Sequence, residues 1–249
     1  MSKKNYKKKS SKVVHPHFDN YGSTQSSGWD PLAEEIDGRR DQKYVKNIKP
    51  RSDGQATLIE AIDTHNLSLA IGPAGTGKTY IAIAKAAEAL EKGQIERIIL
   101  SRPAMEAGES LGYLPGDMNE KMAPYLRPLY DALGDRMGGK KVRKCMDDGT
   151  IEIAPVGFMR GRTLNNSFIV IDEAQNCTYG QIKMLLSRLG WHSKMVVTGD
   201  PDQSDLLDGM SGLADVANRL DAMPNISVNR LAKSDIVRHP LVAEMLQVL

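Results

Sequence analysis

Gly72-Pro73-Ala74-Gly75-Thr76-Gly77-Lys78-Thr79 decides how this chain is read. It satisfies the pattern G-x-x-x-x-G-K-[ST] in full. It also stands between a short apolar run over residues 67–71 and an Ala- and Ile-rich stretch over residues 79–90 with helical spacing. A strand before the loop and a helix after it are the context in which this pattern works. Its glycines let main-chain N–H groups curl around a phosphate, and the helix N-terminus aims its positive dipole end at the same point. Lys78 is expected to reach the β- and γ-phosphates of a nucleoside triphosphate, and Thr79 to ligate Mg²⁺. Gly72, Pro73, Ala74, Gly75, Thr76 and Gly77 enter with them as nucleotide-binding positions.

The partner motif follows 94 residues after Lys78. Phe168-Ile169-Val170-Ile171 reads as a buried strand that delivers Asp172 and Glu173 at its end. Two acids directly behind four apolar residues belong in a crevice, not on a solvated face. Asp172 is placed to hold the Mg²⁺ shell and Glu173 to orient or deprotonate an attacking water. The glutamate favours hydrolysis over phosphate transfer to a small molecule, for which no acceptor pocket is legible. A third strand end, Met195-Val196-Val197-Thr198-Gly199-Asp200-Pro201-Asp202-Gln203, offers Gln203 as the residue that distinguishes ATP from ADP, with Thr198 or Asp200 in support.

Working outward, residues 97–100, 151–154 and 226–228 read as further strands. Residues 182–189 and 213–220 read as helices, as does a terminal segment after Pro240. A helix is expected to open near Ser52, because residues 55–62 put their apolar positions on one face. Residues 118–133 read as helical, with a break or kink at Pro124 and Pro128. The basic, glycine-containing stretch 136–144 reads as a solvated loop. Strands alternating with helices predict an α/β P-loop NTPase with a mostly parallel, RecA/helicase-like sheet, helices on both faces and its chemistry at the strand carboxyl ends.

In 249 residues there is room for one such core but not two. Residues 1–51 carry 12 Lys/Arg against 6 Asp/Glu, which leaves 21 against 25 for the rest. That segment has no period of 2 or 3.6, so it is expected to be a flexible, basic arm preceding a single ATPase domain over residues 52–249. Its basic clusters, and those at 136–144, suit non-specific, salt-sensitive contacts with phosphates. Aromatic residues are too sparse for a base-stacking platform. Two cysteines without metal-ligand spacing read as reduced thiols, hence a cytoplasmic chain. No apolar run approaches membrane-spanning length, so no membrane partner is expected.

Gln55, 17 residues upstream of Gly72, carries a carboxamide that suits the edge of adenine. Charge on the transferring phosphate is usually met by an arginine, and Arg102, Arg160, Arg162, Arg230 and Arg238 are candidates. Arg238 is the preferred one. Arg160 or Arg162 would serve the nucleotide of an adjacent subunit.

Beyond these motifs, residues 55–242 resemble the PhoH-like ATPases, a family related in its motor fold to superfamily 1 helicases. The likeness rests on Ser101-Arg102-Pro103-Ala104, Glu106-Ala107-Gly108-Glu109, Leu111-Gly112-Tyr113-Leu114-Pro115-Gly116-Asp117, Met159-Arg160-Gly161-Arg162-Thr163-Leu164-Asn165, Asp172-Glu173-Ala174-Gln175-Asn176, and Thr198-Gly199-Asp200 with Gln203. The resemblance implies Mg²⁺-dependent ATP hydrolysis and association with RNA or single-stranded nucleic acid. It also implies a homo-oligomer, for some relatives a hexameric ring. It gives Gln55 an adenine contact and Gln175 a part in coupling nucleotide state to substrate. The four-carboxylate pattern of the PIN nuclease domain of some relatives is not legible in these residues, so any nuclease is expected to be a partner and not an intrinsic activity. Stand-alone forms of this size occur in bacteriophages, which makes a viral source an expectation that no residue carries. The competing reading is a nucleotide-dependent switch or assembly ATPase acting on protein partners without a nucleic-acid track.

Overall fold

The computed structural model describes residues 48–103, 118–207, 209–237 and 240–245. Six strands form one sheet: β1 (Leu67–Ile71), β2 (Arg97–Ser101), β3 (Ile151–Ile153), β4 (Ser167–Ile171), β5 (Lys194–Gly199) and β6 (Ile226–Arg230). They lie in the order β3-β2-β4-β5-β1-β6, and every pairing is parallel. The helices are α1 (Asp53–Thr64), α2 (Lys78–Glu91), α3 (Met118–Met137), α4 (Gly139–Asp147), α5 (Tyr179–Leu186), α6 (Leu213–Leu220) and α7 (Pro240–Met245).

Strands β1 and β4 are buried along their whole length, while the edge strands β3 and β6 are only partly covered. This is the burial that helices on both faces of a parallel sheet impose. Alternation along each strand sorts the core into two. Phe168, Val170, Ala70, Ile98 and Leu100 pack with α1 to α4. Ile169, Ile171, Leu69, Ile99 and Val197 pack on the other side with α5 and α6. The architecture is thus a parallel α/β sheet flanked on both faces, a RecA/helicase-like P-loop fold.

Strand β5 lies between β4 and β1, so the P-loop strand and the Asp-Glu strand are not neighbours. All three carboxyl ends nevertheless converge, as Gly72 N–H donates to Gly199 O (3.2 Å) and the Thr198 hydroxyl to Asp172 Oδ1 (2.6 Å).

Two local expectations are corrected. Helix α3 runs unbroken through Pro124 and Pro128. A proline lacks only its own N–H bond to the residue four back, and the packing of Leu126, Leu129 and Leu133 into the core outweighs the loss. Residues 136–144 are not a solvated loop but the end of α3 and most of α4. Val142, fully buried, and the partly buried Cys145 and Met146 make an apolar stripe at helical spacing. The exposed Lys140, Lys141 and Lys144 occupy the rest of the surface. Counting charges hid a strongly amphipathic helix.

Of the basic arm expected over residues 1–51, all but the last four lie outside the described residues. Helix α1 begins at Asp53, capped by the Ser52 hydroxyl, which accepts from Gln55 N–H at 3.2 Å. Both cysteines are free thiols, and burial pushes Cys177 up to about 12. Among the described residues no helix is long and apolar enough to cross a membrane.

Candidate active site

The P-loop leaves β1 through a backbone that only glycine accommodates well. Gly72 has φ of +144°, and a Cβ there would meet Leu231 O at 2.3 Å. Gly77 has φ of +82° and caps α2 in the left-handed region. Lys78 opens α2 and turns back over the loop, its ammonium donating to Gly72 O (2.6 Å) and Pro73 O (2.8 Å). Burial lowers its pKa, an effect opposed by the negative charges of Asp200, Glu173 and Asp172.

Thr79 faces the end of β4. Its hydroxyl donates to Asp172 Oδ1 at 2.6 Å, and the Thr198 hydroxyl, from the end of β5, donates to the same oxygen at 2.6 Å. Asp172 is almost completely buried, and Arg102 reaches its other oxygen at 3.4 Å. Thr198, named with Asp200 as support for Gln203, thus holds the Asp172 carboxylate together with Thr79 and Arg102.

Glu173 sits in the left-handed region at φ of +52°, a conformation that costs a non-glycine residue about 1–3 kcal/mol. With this backbone its side chain lines the cleft. Both carboxylate oxygens are held: Oε1 by Arg102 at 3.3 Å and Oε2 by the Gln175 amide at 2.6 Å. Gln175, itself buried, accepts from Asp200 N–H at 3.1 Å and so bridges the ends of β4 and β5. Asn176 continues the tie through two 2.8 Å bonds with Asp205.

These groups border a cleft of 490 Å³ lined by Gly75, Gly77, Lys78, Thr79, Asp172, Glu173, Asp200 and Gln203. Its opposite wall comes from α3: Pro128, Asp131, Ala132 and Asp135. The sequence reading gave none of these four a role at the site. They recur at helical spacing, which marks them as one face, but only the docking of α3 on α2 turns that face toward the P-loop.

The remaining arginines are distributed as follows. Arg162 is committed to a bidentate pair with Glu152 (2.5 and 2.6 Å), Arg160 is exposed, and neither lines this cleft. Arg230 pairs with Asp221 at 2.9 Å. Arg238 lies outside the described residues. Next to it, Val237 N–H donates to Gly75 O of the P-loop at 2.9 Å. Gln55 is buried against the P-loop and donates to Thr76 O at 2.9 Å.

The segment before Val237 is fastened by Asp235, which accepts from Ala232 N–H at 2.8 Å and from Gly54 N–H at 3.2 Å. The Ala232 bond, then the Ser52 hydroxyl, hold its pKa below the ordinary 3.8. A depressed folded pKa means the stabilisation is complete above 3.8 and is lost as pH falls through the folded value. Asp235→Asn should therefore lower the melting temperature at pH 7. The gap to the wild type should close as the pH drops below 3.8, which thermal melts across pH 2.5–7 would check.

Three carboxylates (Asp172, Glu173 and Asp200) crowding a phosphate cradle need a cation between them and a polyphosphate. Among the described residues no cluster of three or more His, Cys, Asp or Glu could hold a metal unaided. A hydroxyl, a carboxylate and phosphate oxygens are the sparse, all-oxygen set that suits Mg²⁺.

A family model described as PhoH-like protein matches residues 47–249. The chain belongs to the PhoH-like family. Among curated PhoH-like relatives, the Bacillus subtilis protein is 52% identical over 203 residues, covering 81% of this chain and 64% of its own. Escherichia coli PhoH is 44% identical over 211 residues, covering 84% and 60%. The chain thus spans less than two thirds of the length of these PhoH-like relatives. The large terminase of a thermophilic bacteriophage aligns over 80% of this chain and 50% of its own, at 12% identity and a TM-score of 0.49. The fold is established by the strand order and the P-loop of the chain itself. Residues 104–117, which hold much of the family-specific sequence, lie outside the described residues.

Proposed function

We propose that this chain hydrolyses ATP with Mg²⁺ in the P-loop cleft and couples the turnover to RNA or single-stranded nucleic acid within a homo-oligomer. The observation that carries the hydrolytic part is the convergence of a complete P-loop and a strand-end Asp-Glu pair, joined by the 2.6 Å bond from Thr79 to Asp172. Mg²⁺, when bound, would supply charge neutralisation to the polyphosphate. Thr79 and Asp172 would hold it.

The chain's own groups divide the rest of the work. Lys78 and the loop N–H groups fix the phosphates. Glu173 orients a water whose oxygen attacks the γ-phosphorus as the bond to the β-bridging oxygen breaks. The carboxylate accepts the proton, and ADP and phosphate leave. Gln203, at the cleft rim, is the candidate reader of the γ-phosphate. Its loop is tied to the Glu173 turn by Gln175 and Asn176, so a change at one strand end is felt at the other.

The coupling partner is supported by charge: the 12 Lys/Arg of residues 1–51 and the exposed lysines of α4 suit a phosphate backbone. Oligomerisation is supported by the exposure of Arg160, free of the cleft of its own chain. Adding single-stranded RNA should raise steady-state ATPase activity, and raising the salt should remove the increase. Turnover indifferent to RNA at low salt would favour a switch or assembly ATPase acting on protein partners.

Arg238→Ala should reduce turnover on the order of 10³-fold without altering the melting temperature. Unchanged turnover would move the finger role elsewhere, first to the exposed Arg160 in trans.

A further inference from the structure

We infer that the nucleoside half of the ligand lies in a second cleft across the P-loop, packed against Tyr80 and Arg136. Gln55 there braces the P-loop instead of reading the base, so the site takes purine triphosphates with little preference for adenine. This rests on the nucleotide reading of the phosphate cleft.

The second cleft measures 640 Å³ and shares Gly75, Gly77, Tyr80 and Asp135 with the phosphate cleft. The P-loop is therefore the divider between two joined spaces. A nucleotide whose phosphates lie in one continues into the other. Tyr80 directly follows Thr79 and is 39% exposed, and the Arg136 guanidinium stands 5.2 Å from its ring centroid. The Tyr80 ring, backed by the Arg136 guanidinium, offers its exposed surface to a purine face, and such packing is indifferent to the groups on the purine edge.

Gln55 lines this cleft, and each end of its carboxamide already has a main-chain partner. Its oxygen accepts from Arg51 N–H at 2.9 Å, and its amide donates to Thr76 O at 2.9 Å. Reading adenine would require the oxygen and the amide to be presented together to the base. The residue is only 6% exposed, and a Cβ at Gly77 would come within 3.1 Å of its amide nitrogen. Such close packing holds the carboxamide in its bracing pose. Gln55 is a positioning residue that ties the lead-in to α1 onto the P-loop turn.

The test is the binding of ATP, GTP and inorganic triphosphate, each with Mg²⁺, to the wild type and to Gln55→Ala, Tyr80→Ala and Tyr80→Phe. Calorimetry gives the affinities, and melting temperatures check folding. The wild type should bind ATP and GTP within about 5-fold of each other, where a bidentate read of one base edge gives about 5- to 150-fold. Gln55→Ala should weaken all three ligands by the same factor and leave the ATP/GTP ratio unmoved. Tyr80→Ala should weaken ATP and GTP by about 10-fold while sparing inorganic triphosphate, and Tyr80→Phe should restore both. An adenine preference above about 30-fold that collapses in Gln55→Ala would overturn the inference. So would ATP affinity indifferent to Tyr80→Ala, which keeps the test decisive if Gln55→Ala fails to fold. If neither ATP nor inorganic triphosphate binds the wild type, the nucleotide reading falls and takes the inference with it.

Discussion

Lys78→Ala should abolish measurable turnover and weaken ATP binding, while the fold remains intact. The ammonium is the cation at the floor of the cradle, pointed inward by its bonds to Gly72 O and Pro73 O. On a polyphosphate it would make charge-assisted hydrogen bonds, worth about 1.5–3 kcal/mol each, or about 10- to 150-fold in affinity. Its effect on the reaction is larger, because charge on the transferring phosphoryl group shifts as the bond to the leaving oxygen breaks. Removing one such preorganised donor costs about 10²–10³-fold in rate. The lysine is buried among three carboxylates, so alanine also removes the charge that offsets them. Mg²⁺ should then be required at higher concentration for whatever nucleotide binding survives. Equilibrium binding of ATP across a Mg²⁺ titration, beside phosphate release, separates these effects. Wild-type turnover in the variant would remove the P-loop from the reaction.

Glu173→Gln should do the opposite to binding. The amide is isosteric, and glutamine keeps an acceptor for Arg102 or Gln175, so the ends of β4 and β5 stay joined. It lacks a carboxylate to take a proton from water. General-base contributions are about 10²–10⁴-fold, and phosphate release should fall by that range with ATP affinity at or above the wild-type value. The backbone supports a functional role for this position. A glutamate at φ of +52° is a standing cost, held in place by Arg102 and Gln175 on its two oxygens. Glycine there would relieve the strain. Undiminished steady-state turnover in Glu173→Gln would reassign the water-orienting base, with Asp200 next in line at the mouth of the same cleft.

Both predictions rest on residues legible in the sequence, and for a common reason. A phosphate cradle and a strand-end acid pair are each encoded within a few consecutive positions. Strand β4, read over residues 168–171, is observed as Ser167–Ile171, and the strand ending at Ile71 matches its expected bounds. Legibility failed where the outcome depends on docking. The face of α3 that carries Asp131 and Asp135 is neutral as sequence until α2 is placed beside it. Helix α4 was hidden because its four basic residues, Lys140, Lys141, Arg143 and Lys144, outnumber the three that bury it. Two prolines in α3 read as a break, since the penalty is local and the compensating core contacts are distant. Gln55 and Arg162 have partners that no local pattern announces: the fold pairs Gln55 with main chain and Arg162 with Glu152.

The most direct test of the account is the fate of ATP incubated with the purified wild-type chain, in Mg²⁺ and in excess chelator, followed by product analysis over many multiples of the protein concentration. The account predicts ADP and phosphate accumulating through repeated turnovers in Mg²⁺ alone. ATP that binds in Mg²⁺ but is recovered intact would contradict it, and would make the cleft a nucleotide-binding site without hydrolysis.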